Sequence, residues 1–421
     1  MSKPSSGGRS SACLPSLMAR WLPLLASSIF VVLLAMFIQH PQPELSPDLP
    51  ALASRAVGAS SASIAAGSPL GGVRIAITGA TSGIGLGLAR YLHGLGATVI
   101  AIGRSPSKLQ ALQISLDGDD DDNSKPRRVE TFVADLTDLS SVAKAADEIA
   151  YRFDSITYLI NNAGLHYAND IILGFWKKHA TPQGFDVAFQ TNYLSHFLLT
   201  EKLLQLLEKS KNDSPRIIQV SSSFHWLSDG SDLASPRGTA PNASDGDAKS
   251  FFHRERSYAN SKLAQIMHGR SLSRKLRDNG SKVRVASICP GWVATNVGGS
   301  SGFNKMLKTI AYPNDGFGLA STLNAMFLPN SGADEKKDYF VNSVAFDWLG
   351  LTIEKMGLEG RQWPAATGFR DALSWVFAVT LLWTQRFASG AQLSTSSPES
   401  YQQSIQDELY DWSKSAVSEW L

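Results

Sequence analysis

Val73-Arg-Ile-Ala-Ile-Thr-Gly-Ala-Thr-Ser-Gly-Ile-Gly85 decides how this chain is read. Val73 to Thr78 is a mostly apolar run and predicts a buried strand. It breaks into a glycine-rich turn, after which Leu86 to Leu92 has helical spacing. Strand, glycine turn and helix in that order set free backbone N–H groups and a helix N-terminus against a phosphate. Gly79 allows the tight turn, Gly83 removes a side chain where a pyrophosphate comes close, and Gly85 lets the helix approach the strand. Ser82 and Ile84 complete the cradle. The T-G-x-x-x-G-x-G spacing is wider than the commoner G-x-G-x-x-G, and by itself it marks a turn as readily as a dinucleotide site.

Beyond this stretch, apolar runs and helical patterns alternate. Thr98–Gly103 predicts a second strand, and a helix follows over Ser105–Leu116 with Ser105 as N-cap and Pro106 at its first position. Further strands are expected over Val129–Leu136, Ile156–Ile160, Arg216–Ser222 and Val283–Cys289. Helices are expected over Ser140–Arg152, Phe185–Lys209 and Tyr258–Asp278, the last stopped by Gly280. This alternation predicts an α/β fold, a Rossmann-type doubly wound parallel sheet in one catalytic domain over about 71–345. Ligands of such sheets sit at the carboxyl ends of the strands.

The 421 residues leave room for additions to that domain. Residues 1–20 read as a polar tail. Residues 21–38 carry no charge and, as a helix, span about 27 Å, close to the roughly 30 Å hydrocarbon core. They predict an uncleaved transmembrane anchor, with the endoplasmic reticulum or a lipid droplet as the expected membrane; a cleaved signal is the alternative. Residues 39–70, rich in Pro, Ser and Ala, read as a linker without a core of its own. The C-terminal extension over 346–421 contains an uncharged stretch, 372–383, too short to span a bilayer. That stretch is read as a helix dipping into the membrane, or as a core or homodimer-interface helix. The end of the chain reads as a terminal amphipathic helix.

Lys+Arg 39 against Asp+Glu 37 gives a net charge of +2, so no nucleic-acid footprint is expected. The acidic-then-basic run 117–128 reads as a solvated loop. No Cys/His grouping has metal-ligand spacing, and Cys13 and Cys289 are too differently placed to predict a disulfide. His166, His225 and His253 read as surface or loop residues.

Four features at the predicted strand ends could hold a cofactor. Strand two ends in Gly103-Arg104, where NAD-binding proteins usually place an acid for the ribose hydroxyl. A guanidinium there suits a 2′-phosphate, which it can bond bidentately, and this favours NADP(H). Asp135-Leu136 could meet the adenine, Asn162-Ala163-Gly164 could let a cofactor lie against backbone, and Pro290-Gly291 with Thr295 could wall the nicotinamide. Strand five runs into Ser221-Ser222-Ser223, and downstream comes Tyr258-Ala-Asn-Ser-Lys262. Tyr and Lys four apart on a helix share a face, and an ammonium near a phenol favours phenolate. Tyr258 is then a usable acid or base.

Together these features resemble the short-chain dehydrogenase/reductase family, through Thr78-Gly79-x-x-x-Gly83-x-Gly85, Asn161-Asn162-Ala163-Gly164, Asn192, Ser222, Tyr258-x-x-x-Lys262 and Pro290-Gly291. The long gap between Ser222 and Tyr258 and the anchor resemble its membrane-associated, retinol-dehydrogenase-like branch. The resemblance implies that Tyr258 passes a proton to or from the substrate oxygen. Lys262 lowers the tyrosine pKa and bonds the nicotinamide ribose, Ser222 positions the carbonyl or alcohol, and Asn192 holds a water linking Lys262 to solvent. It implies hydride transfer between NADP(H) and a carbonyl/alcohol pair, with a lipophilic small molecule as substrate: a retinoid, sterol, polyprenoid or fatty aldehyde. A tailoring reductase of secondary metabolism and a non-catalytic NADP(H)-binding membrane scaffold are the competing expectations. The segment between Ser222 and Tyr258 is read as a substrate lid or a surface loop.

Overall fold

The computed structural model describes residues 48–118, 128–165, 180–222, 224–225, 228, 230, 233, 251–291, 317–328, 339–341, 392–394 and 396–421. The candidate anchor 21–38, the stretch 372–383, Thr295, and most of the 117–128 run and of the segment between Ser222 and Tyr258 lie outside them. Among the described residues no helix is long and apolar enough to cross a membrane.

The strands are β1 (Arg74–Thr78), β2 (Thr98–Gly103), β3 (Val129–Val133), β4 (Tyr158–Asn161), β5 (Arg216–Val220), β6 (Arg284–Cys289), β7 (Tyr339–Val341) and β8 (Gln392–Ser394). They form one sheet in the order β3-β2-β1-β4-β5-β6-β7-β8. Every neighbouring pair is parallel except β7 and β8. The helices are α1 (Leu49–Ala56), α2 (Ser61–Ala65), α3 (Gly83–Gly94), α4 (Pro106–Asp117), α5 (Leu139–Arg152), α6 (Ser195–Glu208), α7 (Phe251–Asp278), α8 (Phe317–Phe327) and α9 (Gln403–Ala416). Each sheet face carries its own apolar layer. Leu88, Leu109, Leu323 and Leu49 pack on one, and Ile149, Phe197, Leu263 and Leu409 on the other. The doubly wound α/β architecture is thus as expected. The strand order reverses between β1 and β4, so the crevice for a ligand opens where α3 and the β4 turn meet.

Local chemistry explains the start of α4: the Ser105 hydroxyl accepts from Lys108 N–H, and Pro106 fills the first turn. Asp138 caps α5 in the same way through Ser140 N–H.

Three expectations need correction. Residues 39–70 are not linker throughout, because α1 and α2 lie within them and Leu49, Ala53 and Leu70 are buried in the core. A Ser/Ala-rich composition hides these few anchors, although burying one leucine is worth about 1.5–3 kcal/mol. The helix expected over Phe185–Lys209 is present as one unbroken helical run over 187–208, but it is not regular α throughout: Val187–Phe189 leads into a π-turn at Gln190–Leu194, and α6 follows directly. The boundary expected at 345 is crossed by the sheet, because β8 pairs antiparallel with β7. α9 also packs on α7, with Leu409 and Tyr410 in the core. In addition, α7 begins at Phe251, seven residues ahead of Tyr258.

Candidate active site

β1 ends at Thr78, and the turn that follows uses Gly79 at φ +68° and Gly83 at φ +55°, backbone conformations that suit glycine. α3 starts at Gly83, and Ser82 stands at its N-cap without a side-chain hydrogen bond, so no hydroxyl occupies the first-turn N–H groups. That matches what a phosphate cradle needs. Gly85 packs α3 onto the strand end. A Cβ there would run into the Gly79 carbonyl and lie 2.6 Å from Asn162 Nδ2, which itself donates to the Thr78 carbonyl at 2.8 Å. Gly85→Ala must therefore push α3 away from the β4 turn. The expected result is a loss of about 1–3 kcal/mol of stability and of measurable nicotinamide-cofactor binding, read by chemical unfolding and by fluorescence of the reduced cofactor. An unchanged unfolding midpoint would remove the close-packing role. Ile84 is buried beside this turn.

Arg104 follows β2 and is exposed, and among the described residues no acid pairs with it. Asp135 lies just past β3 with its Oδ1 fixed by the N–H and hydroxyl of Thr137 at 2.9 and 2.8 Å. The Leu136 carbonyl accepts from Ser195 Oγ at 2.7 Å, tying this strand end to α6. Pro290 and Gly291 stand half-buried at the end of β6, with Gly291 at φ +78°.

The reacting groups gather where β4 and β5 end. Ser221 is buried, and its hydroxyl donates to the Lys262 carbonyl at 2.8 Å. Ser222 is half-buried, and its hydroxyl accepts the Phe224 N–H at 3.3 Å. Tyr258 is half-buried on α7 and has the Phe224 ring at 5.8 Å. Lys262 is one turn on, 3% exposed, with Nζ 5.6 Å from the centre of the Tyr258 ring. Nζ donates to the Val220 carbonyl at 2.8 Å and to Gln265 Oε1 at 2.9 Å. Burial pulls the Lys262 pKa down to about 7, with Cys289 acting the other way.

Asn192 sits in the π-turn. Its Oδ1 accepts Leu165 N–H at 2.8 Å, and its Nδ2 donates to the Leu165 carbonyl at 3.1 Å and to Ser261 Oγ at 2.9 Å. The Ser261 hydroxyl in turn donates to the Tyr258 carbonyl at 2.7 Å, so Asn192 braces the turn of α7 that carries the tyrosine. Asn192 Oδ1 and Lys262 Nζ both approach Gly164, at 3.4 and 3.5 Å from where a Cβ would stand. Any side chain at Gly164 would intrude on both.

Several residues of this assembly escaped sequence reasoning. His196, one helical turn after Asn192, is 1% exposed. Its Nδ1 lies 2.8 Å from the Asn192 carbonyl, which can only accept, so Nδ1 carries the proton and Nε2 accepts. The donor to Nε2 is the Thr78 hydroxyl at 2.9 Å, a better partner for that proton than the Ile160 carbonyl at 3.4 Å. Thr78 Oγ1 in turn accepts the N–H groups of Asn162 and Ala163, both at 2.9 Å. One chain of bonds thus joins β1, the β4 turn and the π-turn. His225, expected on the surface, is fully buried: Nδ1 donates to the Ser222 carbonyl at 2.7 Å and Nε2 accepts Ser397 N–H at 3.0 Å. The only advance signal for either histidine was its spacing, one turn from Asn192 and three residues from Ser222. Among the described residues no group of His, Cys, Asp and Glu could hold a metal ion, and Cys289 is buried and in no disulfide with any of them.

Comparison with known proteins agrees with this geometry. The family profile for short chain dehydrogenase matches residues 74–225. Short-chain dehydrogenase TIC 32 A, chloroplastic, of Brassica napus is 30% identical over 245 residues, covering 56% of this chain and 69% of that protein. The chain belongs to the short-chain dehydrogenases. Its relatives include the polyprenol dehydrogenase of Homo sapiens, 33% identical over 53% of this chain and 62% of that protein. Retinol dehydrogenase 14 of Homo sapiens is 31% identical over 54% of this chain and 63% of that protein. Among solved structures, an uncharacterized protein from Mycobacterium Paratuberculosis shares the fold with a TM-score of 0.55 and 23% identity, covering 83% of this chain and 94% of that one. As a short-chain dehydrogenase the chain is an oxidoreductase built to bind a nicotinamide cofactor, and the uncapped helix start and the glycine turn fit such a cofactor.

Proposed function

We propose that this short-chain dehydrogenase is an NADP(H)-dependent oxidoreductase that interconverts a carbonyl and an alcohol on a lipophilic substrate while held at a membrane by residues 21–38. The observation that carries the reading is the gathering of Tyr258, Lys262 and Asn192 at the ends of β4 and β5, with Ser222 joined to Tyr258 through Phe224. The bound cofactor supplies or receives the hydride at the substrate carbon. Ser222 orients the substrate oxygen, and Tyr258 gives that oxygen a proton in reduction or takes one in oxidation. The Lys262 ammonium stabilises negative charge on the phenol and reaches the cofactor ribose. Asn192 braces the tyrosine-bearing turn, and a water between it and Lys262 would return the proton to solvent.

Arg104 supports the choice of NADP(H): it is exposed, and among the described residues no acid pairs with it. A charge-assisted bidentate bond is worth about 1.5–3 kcal/mol. Arg104→Glu is therefore expected to cut the preference for NADPH over NADH about 10- to 100-fold, measured as the ratio of the two dissociation constants. An unchanged ratio sinks the assignment. The relatives named for retinol and polyprenol support a lipophilic alcohol or aldehyde as substrate, as does the uncharged stretch 21–38. The test is NADPH oxidation by detergent-solubilised full-length protein offered long-chain and isoprenoid aldehydes beside short water-soluble ones. Turnover confined to short aldehydes would refute the substrate class.

A further inference from the structure

We propose that Gln265 is a positioning residue that holds the Lys262 ammonium against the tyrosine and the cofactor ribose. The inference rests on the site reading above. Gln265 lies three residues after Lys262 on α7, on the same buried face, and is fully buried. Its Oε1 accepts from Lys262 Nζ at 2.9 Å, and the Val220 carbonyl takes a second proton of the same ammonium at 2.8 Å. The other end of the amide is unmet: among the described residues, the buried donor Gln265 Nε2 has no hydrogen bond. Leaving such a donor unpaired costs about 1–3 kcal/mol. A residue kept for packing alone would be leucine or methionine. What glutamine adds at this place is one oxygen, and that oxygen points at Lys262.

The acceptor opposes the burial that lowers the lysine's pKa to about 7, because a hydrogen bond to the charged form favours the charged form. Other titratable groups around Lys262 are Tyr258 and His268 on α7, His196 on α6 and Cys289 on β6. Both imidazoles stay neutral above about pH 4, and Cys289 is common to every variant compared.

The experiment is the dissociation constant of NADPH, followed by its fluorescence from pH 5.5 to 9.5 on the detergent-solubilised full chain. Wild type should lose affinity as Lys262 loses its proton. Gln265→Leu should move that midpoint down by about one pH unit, the worth of a hydrogen bond to a charged group. Gln265→Glu keeps an acceptor and adds charge, and should move it up. A packing role cannot shift the midpoint in opposite directions. If Gln265→Leu does not fold, Gln265→Met takes its place. Midpoints equal in wild type and all variants overturn the inference. Lys262→Met separates the two levels: if it keeps both the wild-type affinity and the wild-type pH dependence, the assignment of Lys262 to the cofactor fails first. If it abolishes the dependence while the Gln265 variants do not shift, only the role of Gln265 fails.

Discussion

Tyr258→Phe should lower turnover by about 10²- to 10⁴-fold and leave NADPH binding as it is. The substitution removes one oxygen from a half-buried ring and keeps its contact with Phe224, so the fold has little to lose. In the proposed mechanism that oxygen is the group through which the substrate's proton passes. Without it, carbonyl reduction has to draw on water in a site whose nearest ammonium, Lys262, is already committed to Val220 and Gln265. The measurement pairs steady-state turnover on a lipid aldehyde with NADPH fluorescence titration. A variant with tight NADPH binding and near wild-type turnover would end the proton-transfer reading. Loss of both would point to misfolding, for which the unfolding midpoint is the check.

Acid should weaken the fold steeply, well before carboxylates titrate. Burial lowers the pKa of His196 to about 4 and of His225 and His268 to about 3, from an ordinary 6.5. The unfolded chain takes up these protons near 6.5, while the folded chain refuses them until about 4 or below. Between those limits the unfolded state binds more protons, so stability is fully present above about pH 6.5 and is lost as pH falls. Three such groups give a limiting slope of about 4 kcal/mol per pH unit. His268 is the clearest contributor. It lies among Tyr193, Phe197 and Tyr410, and its Nε2 has no hydrogen-bond partner among the described residues. His268→Phe is expected to remove about a third of the slope. Urea unfolding at pH 7.5, 6.5 and 5.5 reads the effect, and midpoints that do not move over that range would show that these imidazoles are not held neutral.

The glycine turn, the parallel strands and the Tyr258/Lys262 pair were legible because each is a local pattern: a fixed spacing, an apolar run, two residues one helical turn apart. The π-turn at Gln190–Leu194 was not, since its residues have ordinary helical composition and its extra width comes from what Asn192 must reach, Leu165 and Ser261. Polar residues inside the sheet were equally hidden. Asn161 and Gln219 are register partners on adjacent strands, and Asn161 Nδ2 donates to Gln219 Oε1 at 3.2 Å. No rule of periodicity distinguishes such a pair from ordinary strand residues. The helix at 49–56 was missed because one buried leucine and one buried alanine among serines and prolines look like linker until the surface they cover is known.

The bond from Ser397 to His225 has a bearing on biosynthesis. The glycine turn, the β4 turn and Ser222 all leave the ribosome long before residues 396–421. Until those residues arrive, the carbonyl of Ser222 is held by an imidazole whose far nitrogen lacks its donor, and Tyr193 lacks the Ser413 hydroxyl that meets it at 2.6 Å. Support for the Ser222 carbonyl and for Tyr193 is therefore completed by residues far along the chain from those they brace.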